Sequence, residues 1–128
     1  YWIAEDPDER DTRYAEWSLA MIGRMNAAGV PIGAGTDTPI GAAIPGYSLH
    51  NELDMLVRAG LTPLEALRAA TVTPAEFFSL DDQMGTIEVG MRADLVLLDA
   101  DPMLDIHNTR TVNTVISRGL IVRSPADP

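Results

Sequence analysis

One carboxylate in a glycine-rich segment is the strongest candidate for chemistry in this chain. The sequence GAGTDT occupies residues 33–38 and follows a short apolar run at residues 30–32. Glycines allow a backbone to pass through crowded surroundings, and Asp37 then stands where a strand gives way to a loop. An acid at the carboxyl end of a buried parallel strand is where barrel enzymes hold catalytic groups. The alternative is an Asx turn that simply ends a strand, and the motif alone does not decide between the two.

The composition describes an acidic globular chain. Of the 128 residues, 46% are hydrophobic and 22% are charged, and the formal net charge is −10. This charge argues against binding to nucleic acid, whose phosphates would be repelled, and against binding to an anionic membrane surface. No apolar run approaches the length of a membrane span. We therefore expect neither nucleic acid nor a membrane as a partner. We also expect a cytoplasmic location.

The supply of metal ligands is limited. The chain has no cysteine, which excludes disulfides and thiolate metal sites. Its two histidines, His50 and His107, are too few for a self-contained zinc site of the usual kind. A metal would have to use histidine, aspartate, glutamate or a modified side chain. The chain also opens at Tyr1 in a sequence typical of a domain interior, so we expect further residues before it.

Helical spacing is typical of the first part of the chain. Asp6 or Thr12 is a possible helix start, and Gly29 is a typical helix end. A short strand is predicted at residues 30–34, and a loop rich in proline and glycine follows at residues 38–47. This order predicts a helix that leads directly into a parallel strand. The apolar stripe expected on the helix is formed by Tyr14, Trp17, Met21, Ile22 and Met25.

Three more helix starts are predicted after the loop. Ser48 is expected to cap a helix that ends at Gly60. The sequences TPLE at residues 62–65 and TPAE at residues 73–76 each predict a capping box, in which threonine and glutamate satisfy each other's backbone N–H groups. The expected buried residues are Leu49, Leu53, Leu56 and Val57 in the first helix and Leu64, Leu67 and Ala70 in the second.

Extended patterns replace helical ones from residue 84 onward. Residues 85–90 alternate between two glycines, and residues 93–99 form an apolar run typical of a strand that is covered on both faces. Residues 111–117 and 120–122 predict two more strands, and Arg118-Gly119 between them predicts a hairpin.

Taken in order, these segments resemble the carboxyl-terminal part of the metal-dependent amidohydrolase superfamily, with most likeness to imidazolonepropionase-like and prolidase-like members. Residues 29–37 resemble the family's last barrel strand and its catalytic aspartate, and residues 53–67 resemble the helices that follow. Residues 85–99 resemble the return of the chain to a small β-sandwich beside the barrel, and residues 112–122 resemble the final hairpin of that domain. The ordered set is more specific than any single piece.

The resemblance implies an α/β fold that is the carboxyl-terminal part of a (β/α)8, TIM-like barrel followed by strands of a small β-sandwich domain, with the barrel incomplete. In these terms residues 1–82 are the last helix–strand–helix units of the barrel. Residues 83–124 are strands of the composite β-sandwich, and residues 125–128 are a tail.

The resemblance also implies a reaction. Such enzymes hydrolyse carbon–nitrogen bonds of small molecules, non-peptide or dipeptide-like, and bind one or two divalent metals, commonly zinc. The aspartate that ends the last strand contacts the metal or its hydroxide and takes a proton from the attacking water. Asp37 is the position that carries this role, as a catalytic residue and a metal ligand. The family's histidines and its bridging lysine or carboxylate have no counterparts here, so we expect the isolated chain to bind the metal poorly or not at all.

Other side chains near the predicted strand end are candidates for substrate binding. Thr36, Thr38 and Tyr47 flank the expected mouth of the site, where such contacts gather. His50 is a further candidate, although a hydrogen-bonded structural histidine is the favoured interpretation. Glu52 is a candidate for supporting the site from the following helix.

A non-catalytic chain that stands alone or forms oligomers is the alternative hypothesis. A partial barrel exposes strand edges and apolar helix faces, and pairing with a second copy would cover them. Metal retention and oligomeric state distinguish this possibility from an enzyme fragment. The substrate stays open, since loops on several barrel strands determine it.

Overall fold

The computed structural model describes residues 9–40 and 43–123, with side chains from residue 12 onward. Helices occupy the first part of the described chain and an antiparallel sheet the second, as in a partial α/β fold. The elements are α1 (Glu9–Ala27), α2 (Tyr47–Arg58), α3 (Pro63–Ala70), α4 (Val72–Phe77), β1 (Leu95–Leu98), a 3-10 helix (Ile106–Arg110), β2 (Val112–Ser117) and β3 (Leu120–Arg123).

The hydrophobic core lies between α2, α3 and the 3-10 helix. Leu53 and Leu56 of α2 are buried, as predicted, and Ile106 of the 3-10 helix packs against them. The buried face of α3 differs from the prediction, because Ala66 and Ala69 are buried whereas Leu64 is half exposed. The small alanines allow α3 to approach its neighbours closely, which a leucine face would prevent.

Helix α1 is the longest element, and it only partly follows the predicted apolar stripe. Its amino-terminal aromatic pair is exposed, with Tyr14 at 69% and Trp17 at 57%, and the two rings stack on each other. Contact with the rest of the molecule comes through another part of the helix. There Gly23 passes so close to the carbonyl oxygen of Ala59 that a Cβ on it would clash with that oxygen. No helix in the described residues combines the length and apolar character needed to cross a bilayer.

The predicted helix ends and caps are only partly confirmed. Gly29 closes the turn after α1 with a φ of 77°, as expected. Ser48 does not cap α2, which begins one residue earlier; its Oγ accepts a hydrogen bond from the backbone N–H of Ile44. The possible start at Asp6 lies outside the described residues.

The two TPxE sequences behave differently. Thr62 forms the predicted capping box: its Oγ1 accepts the Glu65 N–H, and the Glu65 carboxylate accepts the Thr62 N–H at 2.7 Å. The second prediction is wrong, because α4 begins at Val72 and Thr73 already lies inside the helix. Helix α3 ends only two residues earlier, so the chain has no extended residue there that could act as a cap.

Two predicted extended segments have no strand neighbours in the described chain. Residues 30–34 are extended but unpaired, and residues 85–90 form turns and irregular structure instead of a strand. A strand requires a hydrogen-bonded partner, and neither segment finds one among the described residues.

The three-stranded antiparallel sheet runs in the order β1-β2-β3. The predicted hairpin is confirmed, with positive φ values of 51° at Arg118 and 81° at Gly119 in its turn. Asp94 accepts the Arg118 N–H at 2.7 Å, and this hydrogen bond, followed by that from Arg92, lowers the pKa of Asp94. The prediction that β1 is covered on both faces is wrong for the described chain, because Val96 is 56% exposed.

The capping box of α3 provides a matched test. We expect Thr62→Ala to lower the free energy of unfolding by about 1 kcal/mol, because the first turn of α3 loses its side-chain acceptor. Thr73→Ala removes the same hydroxyl type from a position without a capping role, and we expect a smaller loss. Urea unfolding of both variants measures the difference. An equal loss in the two variants would contradict the assigned cap.

Candidate functional site

The segment that carries Asp37 is an extended chain with two distinct faces. Burial alternates strictly along it, as expected for a period of two. Ile32 and Ala34 pack against the core formed with α2 and α3. Asp37 is on the opposite face and is exposed. The half-buried positions are Ile32, Ala34, Thr36 and Thr38, and the exposed positions are Pro31, Gly33, Gly35 and Asp37.

The backbone at Asp37 turns sharply. Asp37 has a φ of 48°, in the left-handed region that aspartate tolerates better than most residues. Its carbonyl oxygen accepts the Ile40 N–H at 2.7 Å, which closes a tight turn after the extended segment. Thr36 and Thr38 share a hydrogen bond of 2.7 Å between their hydroxyl oxygens. The structure therefore brings these two candidate substrate contacts together beside Asp37.

Two hydrogen bonds hold the extended segment to the helices. The Ala34 N–H donates to the carbonyl oxygen of Ala69 near the end of α3, at 2.8 Å. The Gly35 N–H donates to Oε1 of Glu52 on α2, at 3.4 Å. Glu52 is half buried, and burial raises the pKa of its carboxyl while the bond from Gly35 opposes that rise. The consecutive N–H groups of Ala34 and Gly35 thus donate to acceptors on two different helices.

The glycines of the motif do not serve a close approach within the described chain. A Cβ built on Gly33 or on Gly35 would meet no atom within 4 Å. The motif predicts crowded surroundings, but the described residues leave the face that carries Gly33 and Gly35 open. A shallow groove of about 300 Å³ lies at the other end of the segment, around Val30 and Pro31, away from Asp37.

The described residues do not form a metal site by themselves. Asp37 brings one exposed carboxylate, whereas zinc sites in proteins use roughly three or four side-chain ligands. In residues 9–40 and 43–123 no three histidine, aspartate or glutamate side chains are grouped so that they could hold a metal ion. The donor set among the described residues is too small to hold a metal ion.

His50 faces the 3-10 helix. Its Nδ1 lies 3.0 Å from Oγ1 of Thr109, and the single hydroxyl proton of Thr109 is donated to the carbonyl oxygen of Ile106. The hydroxyl must therefore accept from His50, which places the proton of the neutral imidazole on Nδ1. Burial lowers the pKa of His50, and the positive charge of Arg110 lowers it further.

Tyr47 belongs to the same contact between α2 and the 3-10 helix. The guanidinium of Arg110 lies 5.8 Å from the centre of the Tyr47 ring and donates a 2.8 Å hydrogen bond to Oδ1 of Asn51. Sequence reasoning missed Thr109 and Arg110, because 59 residues separate each of them from its α2 partner. No local pattern signals such a long-range contact.

The model of the amidohydrolase family matches residues 11–122, which is most of the chain. The chain belongs to the amidohydrolase family. This amidohydrolase chain is 32% identical over 103 residues to imidazolonepropionase of Brevibacillus brevis, a match that covers 77% of the chain and 24% of the relative.

Solved structures show the same relationship. A Xaa-Pro dipeptidase with methionine bound in its active site superposes with a TM-score of 0.75 and 29% identity, over 83% of this amidohydrolase chain and 25% of the dipeptidase. Ochratoxinase of A. niger superposes with a TM-score of 0.71 and 31% identity, over 84% of this chain and 25% of the ochratoxinase. The chain thus spans about a quarter of the length of these relatives.

The lowered pKa of His50 predicts how stability depends on pH. Because the folded pKa lies below the ordinary value of 6.5, the unfolded chain binds the proton more readily. The contribution of His50 to the free energy of unfolding is therefore complete above pH 6.5 and is lost as the pH falls from 6.5 toward the folded pKa.

His50→Asn tests this dependence, since asparagine offers an N–H donor to Thr109 but does not titrate. We expect the wild-type chain to lose stability relative to the variant when urea unfolding is repeated at about pH 5 instead of about pH 7.5. A wild-type chain that gains stability relative to the variant at the lower pH would contradict the placement of His50.

Proposed function

We propose that this chain is part of an amidohydrolase that hydrolyses carbon–nitrogen bonds of small molecules, and that Asp37 is its catalytic carboxylate. The observation that carries the proposal is the position of Asp37. It ends an extended segment whose other face packs on α2 and α3, so its carboxylate lies on the face that the helices leave open. Barrel enzymes place catalytic acids at such strand ends.

The architecture proposed for the complete protein follows the same logic. We assign the extended segment at residues 30–37 as the last strand of a (β/α)8 barrel, and β1, β2 and β3 as strands of a composite β-sandwich. Extended backbone without a strand partner, as at residues 30–34, is the state expected when neighbouring strands lie outside the described chain. The boundary near residue 82 stays a prediction, as does a cytoplasmic location.

The proposed chemistry of Asp37 is proton transfer. As a carboxylate it accepts a proton from the water that attacks the carbon of the carbon–nitrogen bond, and it then donates that proton to the departing nitrogen. Asp37 is also proposed as one ligand of a divalent metal, whose other ligands are not among the described residues. Thr36, Thr38, Tyr47 and His50 stay candidates for contact with the substrate.

The relatives indicate the substrates that deserve testing. Their names describe action on imidazolonepropionate, on Xaa-Pro dipeptides and on ochratoxin, all of which are small molecules. A panel of Xaa-Pro dipeptides, cyclic amides and N-acyl amino acids covers this range of carbon–nitrogen bonds. We propose a substrate of this class and assign no single compound.

A non-catalytic, oligomerising chain is the second candidate. Exposed aromatic side chains favour it, since Phe77 is 80% exposed and Phe78 is 67% exposed, in addition to the pair on α1. Sedimentation of the 128-residue chain and its metal content distinguish the candidates. Stoichiometric zinc retained by this chain would contradict the second candidate, whereas a metal-free dimer would support it.

Asp37→Asn tests the proposed role directly. The product of the complete reading frame that encodes these residues is purified with bound divalent metal and assayed against the substrate panel. We expect the variant to lose turnover by at least about 100-fold, the order of a general acid–base contribution, while its circular dichroism is unchanged. Asp82→Asn, an exposed carboxylate in a turn, is the matched control. Wild-type turnover in Asp37→Asn, or hydrolysis of no panel member by the wild-type protein, would overturn the proposal.

A further inference from the structure

Glu52 holds a position for which the reaction proposed above has no assigned use. It lies on α2, directly before Leu53, which is only 4% exposed and anchors the helix in the core. Because the backbone of α2 is already fixed at Leu53, ordering the Glu52 side chain costs only the entropy of its own rotamers. Glu52 itself is half buried.

The contact that Glu52 makes points to the segment that carries Asp37. Its Oε1 accepts the Gly35 N–H at 3.4 Å, across 17 residues of sequence. Gly35 precedes Asp37 by two residues, and it has no side chain that could hold this part of the segment by packing. The bond to Glu52 thus restrains the backbone two residues before Asp37.

The restraints on either side of Asp37 complete the arrangement. Upstream, Ala69 and Glu52 hold two successive amides on opposite edges of the extended chain. Downstream, the Ile40 N–H closes the turn onto the Asp37 carbonyl oxygen. Asp37, with its left-handed backbone, therefore stands between a restrained amide upstream and a closed turn downstream.

We propose that Glu52 is a positioning residue for Asp37: by holding the Gly35 N–H, its carboxylate sets where the Asp37 side chain stands. The proposal rests on the proposed function of Asp37 for its consequence in catalysis, and on the hydrogen bond to Gly35 for its physical basis. Catalytic groups displaced by even a small distance lose much of their effect, so a restraint of this kind has a direct effect on turnover.

Amide hydrogen exchange in the 128-residue chain tests the contact without any assay of activity. In Glu52→Ala we expect the Gly35 amide to exchange at least about tenfold faster, because its acceptor is gone. Glu52→Gln keeps an acceptor oxygen at the same distance along the side chain, and we expect exchange within about threefold of wild type. Glu52→Asp withdraws the carboxylate by one methylene and is expected to resemble Glu52→Ala, and it serves if the alanine variant fails to fold.

Asp54→Asn is the matched control, since Asp54 is a carboxylate on the same helix that faces His107 instead of the extended segment. We expect its Gly35 amide to behave as in wild type. The backbone coupling constant of Asp37, which reports φ, is expected to move toward an averaged value in Glu52→Ala and Glu52→Asp only. Unchanged Gly35 exchange in both variants would overturn the proposal.

The catalytic consequence is measured on the product of the complete reading frame, with the panel substrate that it hydrolyses. We expect Glu52→Ala to lower kcat by at least about tenfold with KM within about threefold, and Glu52→Gln to restore kcat. If Glu52 had only a structural role, Glu52→Gln would not restore kcat selectively.

If Asp37→Asn remains active while Gly35 exchange still depends on Glu52, the proposed reaction fails and the positioning contact is supported. If Asp37→Asn is inactive and Glu52→Ala retains full kcat, positioning by Glu52 is overturned alone.

Discussion

The two-residue period of an extended chain is the constraint on which the site depends. Ile32 and Ala34 pack on the helical core, so alternate residues must stand on the other face, and Asp37 is one of them. A shift of one residue would turn the carboxylate toward the helices and expose the apolar side chains instead. The register is therefore set by hydrophobic burial, and the bonds from Ala69 and Glu52 hold it in place.

Much of the local structure could be predicted because its causes are local. The end of α1 at Gly29, the capping box at Thr62 and the turn at Arg118-Gly119 each depend on a few adjacent residues. The second TPxE sequence shows the limit of this approach. Thr73 is followed by proline and glutamate at the same spacing as Thr62, but the preceding helix ends at Ala70 and leaves no extended residue that could serve as a cap.

The candidate site was predictable only in part. Asp37 is found at the end of an extended segment as the motif indicates, and Thr36 and Thr38 lie beside it. The partner of His50 was not predictable, because Thr109 is brought to it by packing of the 3-10 helix on α2. Glu52 was expected to support the site from the helix, but its partner Gly35 was not predicted, because it lies 17 residues away in the sequence. Helical periodicity predicts which face of a helix is buried, but it does not predict which residues contact that face.

The central claim is that Asp37 stands in a catalytic site of an amidohydrolase. Anomalous diffraction from a crystal of the complete reading-frame product, grown with Zn²⁺, tests it most directly. We expect an anomalous peak within ligand distance of the Asp37 carboxylate, about 2.2 Å, on the face that α2 and α3 leave open. A peak held entirely by other residues, with Asp37 remote from it or turned toward the helices, would contradict the proposed role of Asp37.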